Sequence, residues 1–448
     1  MGASQGGGII VLADADNFYA SCETVFDPFL RGRALVVLSN NDGCVVSRSS
    51  AAKKLGIANG TPWFQLRGDA ESLGLVARSS NYELYASLSA RMMSLLAHHI
   101  PEQEVYSIDE CFLHSHQDVN GTISSVLAMR HEILRGLGIP VSMGIAPTKT
   151  LAKIANHWAK RHPELDGVAS LMKQKGKSPP AGTCPVDDLL EATPVGDVWG
   201  IGHRLVPHLE SQGIRTAKDL RDADPLLIRH RYGTIVQRTV LELRGTPCIE
   251  AESDASTGRR TGQILCSQMF SHPLTDLDDI NEAVTVYAQR AATRLRRQNS
   301  LCSQITVFCR GRARSPDSQS SSLRASRTLR EPTDSPLAIA AAARDALRGR
   351  LIPGHPAYTR AGVMLTGIIG NTAEEVFDGM APIDERSLLG GALDRISARF
   401  GPDHIGLGRS GIRGHDTSIN SHPDWAMRRS MLSPRATTHW NEMLVVHA

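Results

Sequence analysis

Two stretches of the chain end apolar, β-branched runs in closely spaced carboxylates: Ile9-Ile10-Val11-Leu12-Ala13-Asp14-Ala15-Asp16 and Val105-Tyr106-Ser107-Ile108-Asp109-Glu110-Cys111-Phe112. Burying like charges side by side is costly unless a counter-charge meets them. No Lys or Arg stands within either run. A divalent cation would serve, and carboxylate and carbonyl oxygens are the ligands that Mg²⁺ takes, together with substrate phosphates. In-line nucleotidyl transfer needs two such ions gripping the attacking and leaving oxygens. Asp14, Asp109 and Glu110 are therefore the candidate catalytic and metal-ligating acids, with the backbone carbonyl of Ala15 as a further donor. Neighbours along a regular strand point to opposite faces, so Asp109 and Glu110 can share a site only if the chain bends or turns there. Asp16 lies on the same strand face as Asp14. It is either an extra acid or the N-cap of a helix beginning near Asn17.

Other residues could recognise a substrate. Lys53 and Lys160, each on a predicted helix, could contact a triphosphate or could be solvated surface charges. Tyr19 fits a core aromatic at helical spacing as well as a substrate contact. Val198-Trp199-Gly200-Ile201-Gly202-His203-Arg204-Leu205 sets a Gly-x-Gly turn before a helix, where exposed N–H groups and the helix dipole favour an anion. That pattern suits a clamp on DNA phosphates without base readout.

The 448 residues exceed one hydrophobic core, so several domains are expected. Hydrophobic content of 41% and charged content of 21% are ordinary for a soluble protein. A net charge of +3 says little, but its distribution says more. Nine Arg lie between Arg294 and Arg330, against the single acid Asp317, a local basic surface that suits a phosphate-rich ligand. The eight Cys contain no C-x-x-C spacing, and several sit in apolar runs. Reduced buried thiols in a cytoplasmic protein are expected, rather than a disulfide framework or a zinc site. No apolar stretch reaches membrane-spanning length, and the Gly-rich start lacks the basic region of a signal peptide.

The elements that must position the acids follow from periodicity. Strands are expected over 9–13 and 35–38, a hairpin turn at Asn40-Asn41-Asp42-Gly43 with a return strand over 44–47, and a short helix over 49–56. Long helices are expected over 82–100, 122–137 and 150–162, with strands at 105–112 and 140–145. This order describes a small mixed sheet with helices on one face. An all-helical piece over 185–245 follows. A polar linker then leads to a second β-α-β-β-α-β unit with strands at 262–270, 304–310, 322–329 and 361–368 and helices at 277–297 and 336–351. One more helix is expected over 384–400.

Four motifs fall in order. They are Asp14-Ala15-Asp16-Asn17-Phe18-Tyr19-Ala20-Ser21-Cys22-Glu23, Ser39-Asn40-Asn41-Asp42-Gly43-Cys44-Val45-Val46, Ser80-Asn81-Tyr82-Glu83-Leu84-Tyr85 and Tyr106-Ser107-Ile108-Asp109-Glu110. They resemble the Y-family DNA polymerases of the UmuC type, as does Trp425-Ala426-Met427-Arg428-Arg429-Ser430-Met431-Leu432-Ser433-Pro434 near the C-terminus. The resemblance implies a multidomain α+β right hand. Its palm comprises 1–18 and 80–174, with fingers over 19–79 and a helix-hairpin-helix thumb over 175–247. A linker over 248–260, a little finger over 261–369 and a C-terminal region over 370–448 complete it. It implies error-prone, template-directed synthesis past damaged bases in the SOS response, with two Mg²⁺ held by Asp14, Ala15, Asp109 and Glu110. Tyr19 would exclude ribonucleotides, Lys53 and Lys160 would touch the incoming dNTP, and Val46 and Ser47 would cover the nascent base pair. Gly200, Gly202 and Arg204 would hold duplex phosphates, with Arg310 and Arg312 in the basic surface of the little finger. Implied partners are primer-template DNA, a processed UmuD-like dimer and the RecA filament. The sliding-clamp peptide usual in this type is reduced to Ala373-Glu374-Glu375-Val376-Phe377-Asp378, which keeps only the aromatic end. Competing readings are a non-catalytic DNA-binding scaffold of the damage response and a metal-dependent phosphohydrolase or cyclase.

Overall fold

The computed structural model describes residues 8–172, 186–249, 261–311, 322–351, 357–371, 385–400, 405–407 and 425–443. Two compact units emerge: Met1–Ser39, Gly43–Asp254 and Met431–Ala448 form the first, Asn40–Asp42 and Ala255–Ser430 the second.

The first unit begins with β1 (Ile9–Ala15) and α1 (Phe18–Phe26). A three-stranded sheet follows from β2 (Leu35–Leu38), β3 (Val45–Arg48) and β4 (Val76–Ser79), with the short helices α2 (Ser50–Lys54) and α3 (Trp63–Leu66) between the last two. The expected hairpin forms: β2 and β3 pair antiparallel, and Asn41 and Asp42 take the positive φ that such a turn needs. β4, which the sequence pattern missed, adds parallel to β2. Then come α4 (Tyr82–His99), β5 (Gln103–Val105), β6 (Glu110–Ser115), α5 (Val119–Leu137), β7 (Val141–Ala146), α6 (Lys149–Arg161) and β8 (Val168–Ser170). The five strands order as β5-β6-β1-β7-β8, with β1 antiparallel to both neighbours.

Helices cover both faces of this sheet, not one as the sequence order suggested. Val11 and Ala13 pack into a core with Leu84, Leu88 and Met92 of α4 and Val126 and Met129 of α5. Ile10 and Leu12 face the other way, onto Leu151, Ile154 and Ala155 of α6. Alternate residues of β1 thus feed two cores, so the strand reads as one unbroken apolar run. α6 lies unusually close to β7. A Cβ on Gly144 would stand 2.2 Å from the Ala152 carbonyl oxygen and 2.4 Å from the Asn156 nitrogen, so only Gly permits this approach. Asn156 Nδ2 donates to the Ser142 carbonyl at 2.7 Å and fixes the helix along the strand.

The helices α7 (Val186–Ala192), α8 (Val206–Glu210), α9 (Ala217–Asp222), α10 (Pro225–Tyr232) and α11 (Thr234–Leu243) join the α6 core through Leu189, Leu190, Val236 and Val240. Glu242 of α11 accepts from the N–H of Thr150 at 3.1 Å, which ties this bundle to the start of α6.

The second unit follows the expected β-α-β-β-α-β order: β9 (Ile264–Leu274), α12 (Leu277–Arg297), β10 (Ser300–Gly311), β11 (Ser322–Thr333), α13 (Pro336–Leu347) and β12 (Tyr358–Gly370). The sheet orders as β11-β10-β12-β9, all antiparallel, with α12 and α13 covering one face. α14 (Glu385–Phe400) docks through Asp394, whose carboxylate takes Arg296 at 2.6 and 2.8 Å. Trp425 is buried in this unit's core beside Phe270 and Tyr287. Five of the described cysteines are buried and all seven are free thiols, while Cys184 lies outside the described residues.

Candidate active site

The antiparallel register of β1 and β6 sets Asp14 directly opposite Glu110. The run over 105–112 is not one strand. β5 ends at Val105, and a tight turn bonds the N–H groups of Tyr106 and Ser107 to the Glu110 carbonyl at 3.0 and 3.1 Å. That turn supplies the bend the two adjacent acids require. Ser107 Oγ holds it, donating to Asp109 Oδ1 at 2.6 Å and accepting from the Glu110 N–H at 3.1 Å. Ala15 donates its N–H to the Asp109 carbonyl at 2.9 Å, so Asp14, Ala15, Asp109 and Glu110 meet at one end of the sheet.

No basic residue stands within either run, yet lysines from elsewhere in the chain meet these acids. Lys160 Nζ lies 2.6 Å from Asp14 and 3.5 Å from Asp16, and Lys153 Nζ lies 2.8 Å from Glu110. Both lysines come from α6, too far along the chain for a local pattern to reveal. Lys153 also sits against the rings of Tyr106, Trp199 and Phe112 at 4.6, 5.3 and 5.7 Å. Lys149 and Glu104 form a further, fully buried pair. Burial pushes the Asp14 carboxyl up to about 7; Lys160 pulls it back, and the Glu110 and Asp109 charges add to the rise. Among the described residues no three His, Cys, Asp or Glu groups are already gathered closely enough to hold an ion alone. The donor set is nonetheless all oxygen, and Asp14 and Glu110 already hold Lys160 and Lys153, which fits a hard divalent metal completed by substrate phosphates.

Asp16 is not the N-cap of α1. That position is Asn17, in a left-handed conformation, and Asp16 instead accepts the Ser142 hydroxyl at 2.9 Å. Tyr19 projects from the first turn of α1, half-buried, its ring stacked on Tyr85 at 4.5 Å and edge-on to Tyr82. Lys53 is exposed on α2; desolvation and the nearby Arg48 and Lys160 charges lower its pKa, while Asp16 and Asp14 oppose them. Arg48, which sequence reading passed over, thus joins the two lysines in one cationic group. Val46 is exposed. The Ser47 hydroxyl is spent on α1, donating to the Asn17 carbonyl and accepting from the Ala20 N–H, each at 3.3 Å.

Gly200 has a φ of 88° and Gly202 is exposed, both in the turn before α8, with Arg204 exposed beside them. α8 has only five residues, so the N–H groups of the turn matter more here than a helix dipole. In the second unit, Arg310 pairs across from Ser322 and Arg324 from Phe308, which puts both on the sheet face that α12 and α13 leave open. Arg360 stands opposite Arg310 on the same face. Arg296, counted in the basic run, belongs to Asp394 instead, and Arg312 lies outside the described residues.

Residues 13–157 match the impB/mucB/samB family, residues 261–376 that family's C-terminal domain, and residues 388–446 a domain of unknown function. The UmuC protein of Salmonella typhimurium is 38% identical over 443 residues, spanning 98% of this chain and 100% of that protein. The chain belongs to the UmuC-type Y-family DNA polymerases. The MucB protein of Escherichia coli is 37% identical over 442 residues, covering 97% of this polymerase and 99% of its own length. A solved Y-family chimera built on the Dbh polymerase covers 81% of the polymerase with a TM-score of 0.59 at 23% identity, a likeness of fold. The polymerase therefore has the multidomain mixed α/β fold of its family.

Proposed function

We propose that this polymerase adds dNTPs to a primer opposite damaged template bases, with Asp14, Asp109, Glu110 and the Ala15 carbonyl holding two Mg²⁺. It is a DNA-directed DNA polymerase of translesion synthesis and SOS mutagenesis, acting on primer-template DNA. The observation that carries the site assignment is the register of β1 on β6, which brings Asp14 against Glu110 beside the Asp109 turn. Y-family polymerases are divalent-metal enzymes, and magnesium is the ion this all-oxygen donor set suits best. When bound, the ions neutralise triphosphate charge and lower the pKa of the primer hydroxyl.

The chain's own residues prepare that exchange. Without substrate, Lys160 and Lys153 neutralise Asp14 and Glu110. An arriving triphosphate offers Lys160 and Lys53 a stronger anion and releases the carboxylates. Tyr19 lies under the sugar, and Val46 and Ser47 border the nascent pair, Ser47 also fixing the start of α1. In the hand, the five-stranded sheet is the palm, β2 to β4 the fingers, α7 to α11 the thumb and the second unit's sheet the little finger. Primer extension on an abasic template with Mg²⁺ tests the whole reading; no extension by the full chain, with or without accessory proteins, would sink it.

Lys160→Ala is expected to lower kcat/KM for dNTP by about ten- to a hundredfold, the worth of a charge-assisted contact to phosphate. Single-turnover insertion at varied dNTP checks this, with most of the loss in KM. DNA affinity should fall steeply with salt, and Arg310→Ala or Arg324→Ala should each reduce the slope of log K against log salt by about one. Fluorescence anisotropy of labelled duplex measures it; slopes unchanged in both variants would remove the open sheet face from the DNA path.

The processed UmuD-like dimer and the RecA filament are the proposed accessory partners. The reduced clamp peptide at 373–378 lies outside the described residues. Among the described residues no helix is long and apolar enough to cross a membrane, in keeping with a proposed place in the cytoplasm at the nucleoid.

A further inference from the structure

We infer that the C-terminal segment 431–434, within the domain of unknown function, is a positioning element of the sugar pocket. It braces Tyr19 through Ser433, Glu23 and Tyr85. Ser433 Oγ donates to Glu23 Oε1 at 3.1 Å, and Tyr85 Oη donates to the same oxygen at 2.6 Å. The Tyr85 ring in turn lies flat against Tyr19, centroids 4.5 Å apart and planes 14° apart. Glu23 is 2% exposed, and its Oε2 has no hydrogen-bond partner, so these two hydroxyls are what hold the carboxyl in place.

The segment is built in rather than draped over the surface. Met431 exchanges two hydrogen bonds with Ser79 at the end of β4, its N–H to the Ser79 hydroxyl at 2.9 Å and its carbonyl from the Ser79 N–H at 3.0 Å. Asn81 caps α4 with its Oδ1, accepting from the Leu84 N–H at 3.2 Å. Its Nδ2 donates to Ser433 Oγ at 2.9 Å and to the Ser433 carbonyl at 3.1 Å. Ser433 therefore touches both the cap of the helix that carries Tyr85 and the acid that orients the Tyr85 hydroxyl. A ring that excludes a 2′-hydroxyl by contact must not shift, because a small recoil makes room for the extra oxygen. The flat stack on Tyr85 blocks that recoil on one side, and the C-terminal segment locks Tyr85.

This inference rests on Tyr19 being the sugar-sensing ring, and the test separates the two. Ser433→Ala, Ser433→Thr and Tyr85→Phe in the whole chain are compared for single-turnover dNTP and rNTP insertion, alone and combined with Tyr19→Ala, beside Tyr19→Ala by itself. Ser433→Ala and Tyr85→Phe are each expected to cut sugar discrimination by about five- to tenfold, the equivalent of one hydrogen bond, through faster rNTP insertion. Ser433→Thr keeps the hydroxyl and should keep discrimination, and on the Tyr19→Ala background none of the three should change it further. Should Tyr19→Ala collapse discrimination while Ser433→Ala and Tyr85→Phe leave it intact, the bracing is refuted and the gate stands. Equal losses of dNTP and rNTP insertion refute it also, as a purely structural effect. Should Tyr19→Ala itself change nothing, the gate reading fails and takes the inference with it. Melting temperatures check folding; if Ser433→Ala unfolds, Tyr85→Phe decides alone.

Discussion

Asp109→Ala is expected to reduce primer extension by about a thousandfold or more, roughly 4 kcal/mol of transition-state stabilisation. Asp109 is held on the Ser107 turn, where its side chain is half-buried and packs little apolar surface, so the loss should come without unfolding. Asp14→Asn sharpens the distinction. Burial raises the Asp14 carboxyl to about 7, so the folded chain binds this proton more tightly than the unfolded chain does. The anion therefore costs stability that grows as pH rises from about 4 towards 7. Asp14→Asn should lose extension yet melt higher than the parent at pH 8 in metal-free buffer, with the gain gone at pH 4. Thermal melts at both pH values beside extension gels measure it. Full extension by either variant would remove the acids from the chemistry.

Tyr19→Ala is expected to raise rNTP insertion relative to dNTP by about a hundredfold, close to 2.7 kcal/mol of lost steric exclusion. The ring packs at the margin of the first unit's core. It is half-buried, stacked on one tyrosine and edge-on to another, on the first turn of the helix that follows the Asp14 strand. Removing it opens a sugar-sized space while leaving α1 anchored by Ser47 at its start. Competition between radiolabelled dCTP and CTP on one template reads the ratio directly. An unchanged ratio would assign sugar selection elsewhere.

Much of this was legible in the chain itself. Unbroken β-branched runs ending in acids marked β1 and the region of β6, helical spacing marked α4, and α5 and α6 were readable to within a few residues. The second β-α-β-β-α-β unit and the Asn40–Gly43 turn were readable because period and turn chemistry are local properties. The short strands β4, β5 and β8 escaped, since three or four residues held by pairing partners leave no periodic trace.

Tertiary structure alone decided how the site's charges are met. Lys153 and Lys160 reach Glu110 and Asp14 because α6 lies hard against Gly144, and no neighbour in sequence signals that approach. The same holds for Asp16 on Ser142, for Arg296 on Asp394 and for Ser433 on Glu23. A strand's alternation says that two faces exist but not what covers them, so helices on both faces came as a correction. The amino-acid order determined which segments are apolar, helical or acidic, because those traits are set within a few residues. Which buried charge finds which partner is set by how the packed elements approach, and that is fixed only once the chain has folded.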